Sequence, residues 1–89
     1  MSIQTSQKSD VMLLPTIAHE SIVTCFDYWD DGLQKGMRHL NDLYTHVERF
    51  SLEQREDAYS KGAELASTGK RVCLTVSPDS YSLWVSLRG

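Results

Sequence analysis

The spacing of apolar residues between Ile22 and Phe50 is the feature that most constrains how this chain can fold. Apolar positions recur there in alternating steps of four and three, and Met37 and Tyr44 widen the row. This is the period of an amphipathic helix, so the sequence predicts one long helix with a single apolar stripe. The stripe consists of Ile22, Phe26, Trp29, Leu33, Gly36, Leu40, Leu43, Val47 and Phe50.

An alternative interpretation divides the same region near Asp30. Residues 21–29 are rich in β-branched and aromatic side chains, which favour a strand. Asp31 and Gln34 have the spacing of a capping box, which would begin a helix at Gly32 and continue it to residue 49. The single long helix is preferred because the stripe keeps its phase across the possible boundary.

A second helix is indicated by local signals. Ser51 and Gln54 have the spacing of a capping box, in which each side chain satisfies a free backbone amide. The helix is expected to run from about Leu52 to Ser67. Gly69 follows, and glycine is the residue that most readily takes the left-handed conformation at a helix end.

The C-terminal residues predict an antiparallel hairpin. Residues 71–87 alternate between apolar and polar side chains on either side of a Ser-Pro-Asp-Ser sequence at positions 77–80, which is typical of a turn. Trp84 falls on the side opposite the apolar face of the hairpin. It is therefore either an exposed contact residue or covered by a second layer, and the alternation does not distinguish the two.

The domain organisation follows from length and composition. With 89 residues the chain forms one domain at most. Residues 1–10 are polar and are expected to be a disordered leader, and residues 11–89 are expected to form a single small α+β domain. Its predicted fold is two helices, the first one long, packed on the C-terminal hairpin, with Val11–Leu14 as a possible third strand.

Charge and motifs exclude several classes of function. Twelve acidic against nine basic residues give a net charge of −3, which argues against sequence-independent nucleic-acid binding. No apolar run has the roughly 18 residues that a membrane span needs, and no nucleophile, phosphate-loop or cofactor motif is present. We expect neither an enzyme nor a cofactor. Cys25 and Cys73 have no metal-type spacing and are expected to be free thiols in the cytoplasm.

The predicted function is a small protein-interaction module, meaning an adaptor, an assembly factor or an inhibitor that acts by occupying a surface. Trp29 lies on the stripe and is assigned to the core. A homodimer is also expected, because the second helix is too poor in large apolar side chains to cover the stripe. The partner is expected to be a protein with a basic surface, and the predicted binding residues are Asp27, Tyr28, Asp30, Asp31 and Trp84.

A different class of function would use His39, Asp42 and His46. Their spacing of three and four places them on one face of the predicted long helix, and imidazole and carboxylate groups can bind zinc. His39 and His46 would then lie about 10 Å apart along the helix axis, which is too far for one ion. This small-molecule or metal-binding regulator is therefore the alternative hypothesis.

Overall fold

A computed structural model of the chain describes residues 15–88 and shows a six-stranded mixed sheet with one helical segment packed on it. In chain order the strands are β1 (Thr16–His19), β2 (Thr24–Trp29), β3 (Leu33–His39), β4 (Asp42–Ser51), β5 (Val72–Val76) and β6 (Ser80–Ser86). The helix α1 (Arg55–Ala66) follows a 3-10 turn over Leu52–Gln54.

The strand order across the sheet is β1-β5-β6-β4-β3-β2. β1 is parallel to β5, and every other neighbouring pair is antiparallel. β1 and β2 are consecutive in the chain but lie at opposite edges of the sheet. They are joined only by the link Glu20–Val23, which contains one 3-10 turn.

This short link requires the sheet to curl. From His19 to Thr24 the chain can reach about 18 Å at full extension, whereas the edges of a flat sheet of six strands are about 24 Å apart. The two edges must therefore approach each other, and the link crosses the side of the sheet that the helix does not cover. Val23 packs there against a buried cluster.

Two hydrophobic clusters lie on opposite faces of the sheet. On the helix side, apolar residues of β4, β5 and β6 pack against α1; the buried members are Phe50, Ala58, Ala66, Val72, Leu74 and Leu83. On the helix-free side a second cluster is buried between the curled strands and the link; it consists of Ala18, Met37, Tyr44, Cys73 and Trp84.

The predicted fold of two helices on a hairpin is wrong, and the error is the long helix. The stripe from Ile22 to Phe50 instead lies in the link, in β2, β3 and β4, and in the β3–β4 turn, which holds Leu40. The alternative interpretation is right about a strand, which is β2, but wrong about a helix over residues 32–49. The supposed helix start at Asp31 and Gly32 is the β2–β3 turn, where both residues have positive φ angles of 58° and 130°.

The local sequence signals in the C-terminal half predict its helix and hairpin correctly. The capping box forms, with the Ser51 amide donating a hydrogen bond to the Gln54 side-chain oxygen at 3.0 Å, and Gly69 takes a positive φ of 93° just beyond α1. The predicted hairpin is present as β5 and β6, although each has another strand on its outer side. The predicted leader and the possible strand Val11–Leu14 lie outside the described residues.

Candidate functional site

The structure reverses the predicted positions of the two tryptophans. Trp84, on β6, is 4% exposed. Its indole N–H donates a hydrogen bond to the Thr75 hydroxyl at 2.9 Å, and the His46 ring packs edge-on against it with 5.0 Å between ring centroids. Trp84 does lie opposite the helix side, as the alternation predicts, but that side is covered. It therefore cannot present its ring to a partner as the predicted contact residue.

Trp29, which the helical stripe predicts to lie in the core, is 77% exposed at the end of β2. It lies directly opposite Leu33 across the β2–β3 hairpin, and Leu33 is 70% exposed. Because opposite residues in an antiparallel pair point to the same face, the two side chains form one apolar patch. The chain leaves this patch without cover among its described residues.

The acidic residues of the predicted site surround this patch. Asp30 and Asp31 form the turn between β2 and β3 and are exposed. The turn is fixed by a hydrogen bond from the Asp30 amide to the Gly32 carbonyl oxygen at 2.9 Å. Asp27 is two residues before Trp29, so it lies on the same, helix-free face of β2. The structure thus brings the three aspartates and Trp29 together.

Tyr28, the remaining predicted contact residue, points to the opposite face. Its hydroxyl donates a hydrogen bond to the Thr45 hydroxyl at 2.6 Å, which ties β2 to β4 across β3. Its ring lies 6.0 Å from that of Phe26. Tyr28 is half-buried and stiffens the hairpin that carries the patch, so its position supports the site without belonging to the same surface.

A cleft of about 620 Å³ lies on the helix-free side and includes Asp27, which also borders the patch. The strand register sets its floor, because Asp27 is opposite Lys35 and His46 is opposite Trp84. The cleft is lined by Glu20, Cys25, Phe26, Asp27, Lys35, Gly36, His46, Arg49, Ser82 and Trp84.

The charges in this cleft are balanced between two acids and two bases. Burial lowers the pKa of the His46 imidazole below its usual range, and the positive charges of Arg49 and Lys35 lower it further. Arg49 also donates a hydrogen bond to the Ser80 hydroxyl at 3.2 Å. The floor of the cleft is therefore a neutral imidazole against an indole.

A thiol nucleophile paired with His46 does not fit this geometry. Cys25 is exposed and lines the cleft, but it is opposite Met37, which is opposite Tyr44 on β4. His46 is two strands and two residues away from Cys25, which corresponds to about 12 Å between their Cα atoms in a regular sheet. An imidazole must be within hydrogen-bond reach to activate a thiol.

The alternative metal site also lacks its geometric basis. His39 and Asp42 flank the β3–β4 turn, whereas His46 packs on Trp84 in the cleft. Asp42 is engaged by the guanidinium groups of Arg71 and Arg88. Within residues 15–88 there is no group of three potential metal ligands.

Comparisons of the chain with protein-family models, curated proteins and solved structures gave no match. No helix among residues 15–88 combines the length and the apolar character needed to cross a membrane.

Proposed function

We propose that this protein is a protein-interaction module that binds its partner with the tip of the β2–β3 hairpin. The contact surface, called here the tip surface, consists of Trp29, Leu33, Asp27, Asp30 and Asp31. One observation carries the proposal: a tryptophan that is 77% exposed lies beside a leucine that is 70% exposed. Large apolar side chains grouped on a surface mark contact sites, and tryptophan is enriched among residues that dominate binding energy.

The hairpin is suited to present this surface in a fixed shape. β2 is paired with β3 over six residue pairs, and the Tyr28 hydrogen bond to Thr45 fastens it further to β4. The tip surface is therefore ordered before binding, and less conformational entropy is lost when a partner docks than with a mobile loop.

The charge of the tip surface defines the partner. Three aspartates border the apolar patch, and Lys35 is the basic residue opposite Asp27. Acidic groups at the rim of an interface attract a basic partner and mainly increase its association rate. The partner is thus a protein with a basic surface around an apolar pocket, and this chain acts as an adaptor, an assembly factor or an inhibitor by occupying that surface. We place this activity in the cytoplasm, where the free thiols Cys25 and Cys73 stay reduced.

The test is capture of partners with the tip surface altered. Tagged wild-type protein, Trp29→Ser and Leu40→Ser are compared, with a photo-reactive residue at position 31 to mark direct neighbours. Leu40 is the matched control because it is 83% exposed and lies at the other end of β3. Trp29→Ser should lose the cross-linked partner, and Leu40→Ser should keep it. Equal cross-linking by both variants would refute the proposal.

A further inference from the structure

The two edges of the sheet are built differently. At one edge β1 has only four residues and follows Pro15, which lacks a backbone N–H. Short edge strands and prolines are the usual protection against pairing with another chain. At the other edge β2 has six residues, Thr-Cys-Phe-Asp-Tyr-Trp, without proline, glycine or lysine. In the described part of the chain no strand pairs with its outer side.

We propose that two copies of this chain pair through their β2 strands, antiparallel, with Phe26 opposite the same residue of the partner copy. The two sheets would form one continuous sheet with a two-fold axis perpendicular to it. Such a contact is isologous, because the same strand is used by both copies. The inference does not rest on the proposed function: of the tip surface only Asp27 lies within the five central pairs from Thr24 to Tyr28, and Trp29 lies beyond them.

The register of this pairing follows from which side chains share a face of the sheet and from Asp27, the charged residue of β2. Opposite residues must share a face, so only alternate registers are allowed. Centring the pair on Asp27 would place two carboxylates directly opposite each other, which is destabilising. Centring it on Cys25 would leave the last three residues of β2, at the tip end of each strand, unmatched.

Centring the pair on Phe26 matches the side chains on both faces. On the helix side Phe26 is opposite Phe26 of the partner copy, and Thr24 lies opposite Tyr28. On the cleft side Cys25 lies opposite Asp27, so each carboxylate has a neutral neighbour. The Phe26 ring lies over Gly36 of β3, since a Cβ added at Gly36 would be 2.6 Å from its Cε1 atom. The ring therefore leans away from the outer edge of β2 and leaves the backbone there accessible to a partner strand.

The first test places side chains of opposite charge at Cys25, which is exposed in the single chain. Cys25→Lys would place an ammonium opposite Asp27 of the partner copy at two symmetric positions, and Cys25→Glu would place a carboxylate there. We expect the dimer dissociation constant of Cys25→Glu to exceed that of Cys25→Lys by about tenfold, given the usual size of cross-strand charge effects.

Sedimentation equilibrium over micromolar concentrations measures these constants against the monomer mass of 10.1 kDa. A wild-type chain that stays at the monomer mass overturns the proposal. A dimer that forms equally well in both variants also overturns it, because the contact then lies elsewhere.

The second test fixes the register by disulfide formation. Under mild oxidation, wild-type chains should not cross-link to one another, because their Cys25 residues would lie on diagonal positions. Wild type mixed with Cys25→Ser/Asp27→Cys should give a covalent heterodimer, since opposite residues have the Cα separation that a disulfide needs. Cys73 is fully buried and does not interfere. Cross-linking of wild-type chains alone would show a different register and contradict the proposal.

Discussion

Replacing each tryptophan by alanine should have opposite consequences, and the structure sets the size of the difference. Trp84 is buried, donates a hydrogen bond to Thr75 and packs against His46. Truncation of a buried aromatic side chain to alanine costs about 3–5 kcal/mol, which is comparable with the total stability of about 5–10 kcal/mol expected for a domain of this length. Trp84→Ala should therefore lose about half of its free energy of unfolding and melt well below the wild type.

Trp84→Phe separates the hydrogen bond from the packing. It keeps most of the apolar ring but leaves the Thr75 hydroxyl without its donor, at a cost of about 1–2 kcal/mol. In a domain of this size each kcal/mol lowers the melting temperature by about 4–8 °C. Trp29→Ala, by contrast, removes a side chain that is exposed to solvent and should change the free energy of unfolding by no more than about 0.5 kcal/mol.

Urea unfolding followed by circular dichroism gives the three free energies on one scale. Fluorescence adds an independent check, because the emission of the buried Trp84 should lie at shorter wavelength than that of the exposed Trp29. If Trp29→Ala destabilises the protein as much as Trp84→Ala does, the assignment of one ring to the inside and the other to the outside is refuted.

Two further predictions follow from the hairpin and the cleft. Gly36→Ala should lower the free energy of unfolding by about 1–2 kcal/mol, because the new Cβ would displace the Phe26 ring from β3. In chains that already carry Phe26→Ala, the same substitution should cost nothing, and urea denaturation of the single and double variants measures this. The pKa of His46 is lower in the folded protein than in the unfolded chain. The unfolded chain therefore binds more protons below about pH 6.5, and the free energy of unfolding falls as the pH drops through that value. His46→Gln should show a smaller loss of melting temperature between pH 7.5 and pH 5.5 than wild type.

The parts of the fold that could be predicted are those fixed by neighbouring residues. The capping box at Ser51, the left-handed Gly69 and the turn at residues 77–80 each act over a few positions, and each forms as expected. The long helix failed because two hairpin turns happen to preserve a helical spacing. Trp29 and Leu33 are four residues apart, but they are opposite each other across the β2–β3 turn.

Signals for these turns were present in the sequence. Asp31 and Gly32 form a typical hairpin turn pair, and the preceding residues have strand composition. The second turn was harder to detect, because Leu40 takes a positive φ of 58° that favours glycine over a side chain. The burial of Trp84 had no local signal at all. It depends on the curl of the sheet and on the link Glu20–Val23, which brings together residues far apart in sequence.

The exposed hairpin follows from the small size of the chain. A domain of this length has limited surface to spare for covering its own strands, and helix α1 packs on β4, β5 and β6. The curled helix-free side covers Trp84 and Met37 at the centre of the sheet. Among residues 15–88 neither layer reaches the outer part of β2 and β3, and Trp29 stays exposed there. The tip surface and the free edge of β2 therefore have the same cause, which is that no other described part of the chain packs on the outer part of this hairpin. Substitutions at either surface should leave the core intact.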